Sequence, residues 1–141
     1  MDLTLEFLGL KDGVTIARRG TDQYGGLNVR MATPKAQVIT MITGASNAVP
    51  RRAWSDLSGR FAGSDAPSGL AIFQHAQNPD YPGDWVQFPE LSWCQPTFPA
   101  SGRRFALERE RPLILRFRLW IHPGSRPEDD CAERVWDSFG G

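Results

Sequence analysis

The sequence predicts a single antiparallel β-sandwich with one α-helix at its C-terminal end. Three observations carry this prediction. Within several short segments, apolar and polar residues alternate with a period of two, and turns that contain glycine or proline separate these segments at regular intervals. Only the last segment, at about residues 126–139, has helical periodicity. The 141 residues fit one domain over 1–141.

The first half of the chain contains a series of short strand patterns. Residues 3–18 are predicted to form a hairpin, because Leu3–Phe7 alternates in polarity and a glycine turn at 11–13 leads into Val14–Ile16. Further strands are predicted at 27–31, 38–42 and 53–57, separated by a loop at 20–26 and a turn at 44–50.

The second half contains the clearest strand pattern of the chain. Short strands are predicted at 70–73 and 85–88, with a loop at 74–83 and an irregular aromatic segment at 91–102. The segment Leu113–His122 alternates over its whole length, so one face is predicted to be buried. The opposite face, which carries Arg116, Arg118, Trp120 and His122, is predicted to be mostly solvated, with Trp120 covered by the helix or by a partner chain.

The C-terminal segment is predicted to be an amphipathic helix. Ser125 followed three residues later by Glu128 has the spacing of a capping box. Cys131, Val135 and Phe139 recur at a spacing of four and form one apolar stripe. We therefore expect this helix to pack on the sheet.

Composition excludes several classes of protein. Sixteen basic and sixteen acidic residues give a net charge of zero, which argues against a nucleic-acid partner and against a polybasic membrane-surface protein. No apolar run of 18 residues is present, and the first residues lack the pattern of a signal peptide. We expect a soluble cytoplasmic protein with reduced thiols at Cys94 and Cys131, although a disulfide between them stays open.

The sequence lacks the local motifs of several enzyme classes. HExxH, GxSxG, GxGxxG and the P-loop are all absent, which argues against zinc peptidases, α/β-hydrolases, dinucleotide enzymes and nucleotide phosphatases. The chain has two histidines, His75 and His122, which lie far apart in the sequence and provide too few ligands for a histidine-rich metal site. We therefore predict no metal site and no cofactor.

The candidate catalytic residues centre on the polar loop 74–85. His75 can act as a general acid or base near neutral pH, with Asp56 or Glu90 as its counterpart. The alternative is that this loop only shapes the backbone and that His75 ends a strand with a satisfied hydrogen bond.

The candidate ligand-binding residues are polar side chains that can form hydrogen bonds and tryptophans that can stack on a sugar ring. Polar side chains can hold sugar hydroxyls or a carboxylate, and tryptophan can stack on the apolar face of a sugar ring. The residues are Asn28, Arg30, Arg52, Trp54, Asn78 and Trp85. The alternatives are an Arg52–Asp56 pair on one strand face and a solvated outer face at Asn28 and Arg30.

Four segments of the chain carry a resemblance to a known family. They are Tyr24–Ala32 (YGGLNVRMA), Arg52–Gly59 (RAWSDLSG), Gly69–Pro79 (GLAIFQHAQNP) and Leu115–Gly124 (LRFRLWIHPG). Together they resemble the bacterial PmoA-like family, also called methane oxygenase PmoA, over about residues 14–139. His75 and Asn78–Pro79 match its most specific phrase. Members are about twice this long, so the chain resembles their C-terminal half.

The resemblance implies a β-sandwich similar to the galactose-mutarotase type and a role in bacterial carbohydrate metabolism. The first hypothesis is therefore a domain that binds or modifies a carbohydrate ligand. The alternative is a non-catalytic assembly module that forms a homodimer through a sheet edge or through the Trp120 face. A metal-dependent oxygenase is disfavoured because the ligand set is too thin.

Overall fold

The computed structural model of the chain describes residues 1–21, 23–43 and 52–140, which form antiparallel strands and one α-helix. The strands are β1 (Asp2–Phe7), β2 (Thr15–Ala17), β3 (Val29–Arg30), β4 (Lys35–Thr43), β5 (Arg52–Arg60), β6 (Ser68–Gln74), β7 (Trp85–Phe88), β8 (Trp93–Pro96), β9 (Arg104–Ala106) and β10 (Leu113–Pro123), and the helix is α1 (Asp129–Asp137). The predicted fold class, an antiparallel β-sandwich with one C-terminal helix, is confirmed.

The largest layer is a five-stranded sheet with the order β1-β10-β6-β5-β4, in which all neighbours are antiparallel. A three-stranded sheet of β3, β8 and β7 and a two-stranded ribbon of β2 and β9 complete the fold. Strand β10 has the alternating pattern that the sequence predicts, and its length allows it to pair with both β1 and β6.

The two faces of the five-stranded sheet bury different kinds of core. On one face, Leu115 and Phe117 pack around Phe98, and Ile72 packs with Trp85 and Cys94 of the smaller sheet. On the other face, Trp54, Ala71 and Phe73 pack against α1 through Ala132, which is fully buried. We call this second side the helix face; because side chains alternate along a strand, Asp56 lies on it together with Trp54.

Three local predictions are wrong. The predicted hairpin at 3–18 is absent, because β1 pairs with β10 and β2 pairs with β9. The segment predicted as irregular, 91–102, contains β8. The helix begins after Glu128 rather than after Ser125, and no side chain caps it. The predicted turn at 44–50 lies outside the described residues.

The two cysteines lie on opposite sides of the five-stranded sheet. Cys94 is buried in the core between the sheets, where its Sγ lies 3.3 Å from Ser55 Oγ, whereas Cys131 lies on α1. A disulfide between them would have to cross the sheet. Within the described ranges, no helix has the length and apolar character that a membrane span needs.

Candidate functional site

Four side chains meet on the helix face and form what we call the acid–histidine cluster. Trp54 and Asp56 come from β5, His122 from the end of β10, and Arg126 from the connection between β10 and α1. His122 Nε2 lies 2.7 Å from Asp56 Oδ2, and the two side chains are only 2% and 0% exposed. A carboxylate and an imidazole in direct contact are therefore buried beneath the C-terminal part of the chain.

Gly69 explains how these two side chains meet across an intervening strand. Strand β6 lies between β5 and β10, and Gly69 is in register with His122 on one side and with Ser58 on the other. A Cβ on Gly69 would lie 2.7 Å from the His122 ring and 2.8 Å from the Ser58 Cβ. The imidazole therefore crosses β6 at a position where only glycine leaves room.

Burial controls the protonation of Asp56. Burial away from solvent raises the pKa of Asp56 above its ordinary value, against the opposing effects of the His122 hydrogen bond, of the nearby Ser58 hydroxyl and of the Arg126 charge. The carboxyl group therefore holds its proton more strongly than an exposed aspartate does. A group of this kind can exchange a proton with a bound hydroxyl.

The cluster also contains polar atoms without hydrogen-bond partners. Trp54 Nε1, Asp56 Oδ1 and Arg126 Nε are buried and unpaired in the described part of the chain; the other two such atoms are Gln74 Nε2 and Gln95 Nε2. The Arg126 guanidinium lies over the Trp54 ring at 5.9 Å from its centroid. An unpaired buried donor or acceptor costs about 1–3 kcal/mol, so three in one cluster call for an explanation beyond packing.

His75 lies elsewhere, at the other end of α1. Its Nδ1 accepts a hydrogen bond from the Gln77 backbone N–H at 3.0 Å, and its ring meets Phe139 edge-on at 4.9 Å. Burial, together with the charge of Arg116, lowers the pKa of His75. His75 follows Ala71, the register partner of Asp56, by four residues, or about 13 Å along the strand. The expected partnership of His75 with Asp56 is thus replaced by that of His122.

Three predicted site residues lie on exposed parts of the smaller sheet. Glu90 belongs to the short 3-10 helix Pro89–Leu91 that follows β7, and its side chain is exposed. Asn28 and Arg30 are exposed around β3, where the Asn28 amide donates to the Gly26 carbonyl at 3.2 Å. The structure brings none of them to the helix face. The side chain of Arg52 lies outside the described part, so its pairing with Asp56 stays a prediction.

Asn78 and Trp85 are engaged in the fold. Asn78 is buried, and its side-chain amide bonds both backbone groups of Arg116, with both distances 2.7 Å. Trp85 is 9% exposed and packs in the core between the sheets. Of the predicted residues, Asp56 and Trp54 are therefore the two that the structure brings together in one polar cluster.

Sequence reasoning missed His122 and Arg126 as site residues. The alternation of β10 placed His122 on one face with Trp120, but that face was expected to be mostly solvated. In the structure Trp120 packs beneath α1, which confirms the helix as its cover, and its ring lies 5.2 Å from that of His122. No local pattern marks the contact of His122 with Asp56, because it depends on the pairing of three strands, and nothing in the sequence singles out Arg126.

The fold and the site together define a class of protein: an antiparallel β-sandwich that buries an acid–histidine pair beneath a C-terminal helix. In the described residues, no group of three His, Cys, Asp or Glu side chains is placed to hold a metal ion. The chain belongs to DUF6807, a family of unknown function whose model matches residues 1–137. No curated protein and no solved structure matches the chain. The resemblance to the PmoA-like family stays a prediction.

Proposed function

We propose that this domain binds a carbohydrate at the acid–histidine cluster. The observation that carries the proposal is the set of unpaired buried atoms: one carboxylate oxygen of Asp56, the indole N–H of Trp54 and the Nε–H of Arg126. A sugar hydroxyl both donates and accepts hydrogen bonds, so neighbouring hydroxyls can satisfy an acceptor and two donors together. The indole ring adds an apolar surface for the C–H face of the sugar.

Access to the cluster depends on Arg126. Its side chain is 29% exposed, whereas Asp56 and His122 are almost fully buried. The guanidinium lies over Trp54 and forms an ion pair with Asp129 in the first turn of α1. Displacement of Arg126 from Trp54 is therefore the route by which a ligand reaches the indole ring and Asp56.

The buried pair gives the proposed site a proton-transfer function. Asp56, whose pKa is raised by burial, accepts the proton of a sugar hydroxyl, and His122 holds the carboxyl group in place through Oδ2. Oδ1, which is unpaired, is the oxygen that faces this exchange. In the interconversion of sugar anomers, the anomeric hydroxyl gives up its proton, the bond from C1 to the ring oxygen breaks with its electron pair going to that oxygen, and the ring oxygen takes a proton from water. Ring closure reverses these transfers and no cofactor is consumed, so this is the first reaction to assay.

The proposal is tested by thermal shift against a panel of monosaccharides, uronic acids and short oligosaccharides. A ligand that binds only the folded protein raises its melting temperature. We expect one sugar class to raise it in the wild type and to lose the effect in Asp56→Asn and Trp54→Phe. Asp12→Asn, an exposed carboxylate in a turn, and Trp85→Phe, in the core between the sheets, are the matched controls. The proposal would be overturned if no sugar raises the melting temperature, or if the two control variants lose the shift to the same extent.

A second candidate is a non-catalytic assembly module, which the sheet edges favour. Strands β1 and β4 form the two edges of the five-stranded sheet as described, and Val38 on β4 is 50% exposed. Because α1 covers Trp120, the sheet edge is the surface on which this candidate depends. Light scattering tests it: a dimer in the wild type that Val38→Lys dissociates supports it, and a monomer at high concentration rejects it.

A further inference from the structure

A cleft lies at the far end of β5 from Trp54, between the start of β4 and the loop that follows β5. Its volume is about 430 Å³, which is within the range of small-molecule sites. The residues that line it are Thr33, Lys35, Arg60, Phe61, Ala62, Gly63, Ser64 and Asp65. We call it the Lys35–Arg60 cleft. It lies about 13 Å from the position of Asp56, because Arg60 follows Asp56 by four residues on one strand.

The two cations of this cleft are held opposite one another. Lys35 on β4 and Arg60 on β5 are direct register partners in an antiparallel pair. Gly59 fixes this approach, since a Cβ there would lie 2.7 Å from the Pro34 ring and 3.0 Å from the Lys35 carbonyl oxygen. Like charges directly opposite across two strands destabilise a sheet. A bound anion would remove this repulsion.

The charges around the pair leave it uncompensated. Neither Lys35 nor Arg60 forms an ion pair within the described part of the chain, whereas Arg18, Arg118, Arg126 and Arg134 all do. Asp65 is the single carboxylate among the lining residues, so the cleft is net positive in a chain of net charge zero. The hydroxyl of Thr33 lies at its wall and accepts a hydrogen bond from Ser92 at 2.8 Å.

The backbone at the cleft has an unusual conformation. Ala36 has a φ of 51°, in the left-handed region that non-glycine residues rarely adopt, and the pairing of β4 with β5 breaks register between Lys35 and Val38. Strain of this kind persists where the surrounding structure holds it, and it concentrates at binding sites. Here it accompanies the placement of Lys35 opposite Arg60.

We propose that the Lys35–Arg60 cleft binds the oxyanion of a small molecule, in the form of a phosphate or a carboxylate group. Arg60 can present two parallel N–H donors to two oxygens of such a group, and Lys35 supplies a second, compact charge. The proposal is independent of carbohydrate binding at the acid–histidine cluster, since the two sites share no residue.

The test is a titration followed by amide NMR at constant ionic strength, with inorganic phosphate, acetate and chloride as separate probes. We expect saturable shifts confined to residues 33–36 and 60–65 with phosphate or acetate, and none with chloride. Saturation by phosphate alone assigns a phosphate ligand, and saturation by acetate assigns a carboxylate. Linear shifts spread over the chain, or the same response to chloride, would overturn the proposal.

Charge variants make the test specific. Lys35→Gln and Arg60→Gln should each weaken binding by about tenfold or more, because each removes a charge-assisted contact. Asp65→Asn should strengthen binding, because it removes the one carboxylate at the cleft. Lys11→Gln, which changes an exposed lysine in the turn after β1, is the control and should leave binding unchanged. Equal weakening by Lys11→Gln would show nonspecific attraction and contradict the proposal.

Discussion

The polar groups beneath the two ends of helix α1 differ in how fully they are hydrogen-bonded. At its C-terminal end, the Trp136 indole donates to the Gln74 carbonyl oxygen at 2.9 Å, and Arg118 bonds Asp2, the Val135 carbonyl and Ser138. At its N-terminal end, the acid–histidine cluster leaves atoms of Trp54, Asp56 and Arg126 unpaired. At the first end, Gln74 Nε2 is the one unpaired buried atom among the residues named, whereas the second end gathers three such atoms in one cluster.

This difference separates two uses of histidine in one fold. His75 is held by a backbone hydrogen bond and by Phe139, and Gly140 lies so close that a Cβ there would collide with the imidazole. His122 instead contacts a carboxylate whose second oxygen is unpaired. A satisfied polar group indicates a structural role, whereas a buried unsatisfied group needs a separate explanation, and the proposed ligand site supplies one for Asp56.

The largest expected effect comes from Gly69→Ala. The new Cβ would displace His122 from Asp56, which combines overpacking with the loss of a buried pair, and we expect about 4 kcal/mol of lost stability. Urea denaturation measures it. Gly83→Ala is the control, because a Cβ there meets the Gln74 side chain at 3.2 Å and should cost less than about 1 kcal/mol. Equal stability of the two variants would show that the His122 ring does not depend on the missing side chain of Gly69.

Asn78→Ala should have the next largest effect. It leaves the backbone N–H and C=O of Arg116 without their side-chain partners, which we expect to cost about 2–3 kcal/mol. The effect is read from thermal unfolding. Asn28→Ala, which removes one long hydrogen bond at an exposed site, should change stability by less than about 0.5 kcal/mol. If Asn78→Ala lowers the free energy of unfolding no more than Asn28→Ala does, the Asn78 side chain does not hold β10 in place.

Trp136→Phe tests the C-terminal end of the helix. It removes the bond to the Gln74 carbonyl but keeps an aromatic ring against Tyr81, whose centroid lies 6.0 Å away. We expect a loss of about 1 kcal/mol in chemical denaturation. Stability equal to that of the wild type would mean that this hydrogen bond adds nothing, and the contrast between the two ends of α1 would weaken.

The smallest expected effect is a pH dependence from Asp56. Because its pKa is raised in the folded state, its stabilising contribution is present below the ordinary value of 3.8 and is lost as pH rises through the folded pKa. Asp2 behaves in the opposite way, since its hydrogen bond to Arg118 lowers its pKa and its contribution is lost as pH falls below 3.8. Unfolding free energies of the wild type and Asp56→Asn, measured from about pH 3 to about pH 8, should therefore diverge in favour of the variant as pH rises. Parallel curves would contradict the direction of the Asp56 shift.

The sequence predicts the parts of this fold that depend on local pattern. The period of two in β10 and the segment of β7 are confirmed, because alternation along one strand determines which face is buried. The predicted hairpin at 3–18 is wrong, because β1 finds the apolar residues of β10 at the other end of the chain, with Leu3 opposite Phe117. Strand pairing of this kind has no local pattern.

For the candidate site, too, the sequence predicts what depends on spacing along one strand and misses what depends on strand pairing. Trp54 and Asp56 share a face by their spacing, which the sequence shows directly. The contact of Asp56 with His122 depends on the missing side chain of Gly69 on the strand between them, and that juxtaposition exists only once β5, β6 and β10 are aligned. His75, the histidine with the more polar sequence surroundings, lies at the other end of α1.

The most direct test of the proposed site uses the fact that the chain has only two histidines. Long-range ¹H–¹⁵N spectra of the uniformly labelled protein will show both imidazoles, and His75→Gln assigns them. When the sugar that raises the melting temperature is added, we predict that the His122 resonances shift saturably and those of His75 stay unchanged. Shifts confined to His75, or no shift of His122 at a sugar concentration that saturates the thermal effect, would contradict binding at the acid–histidine cluster.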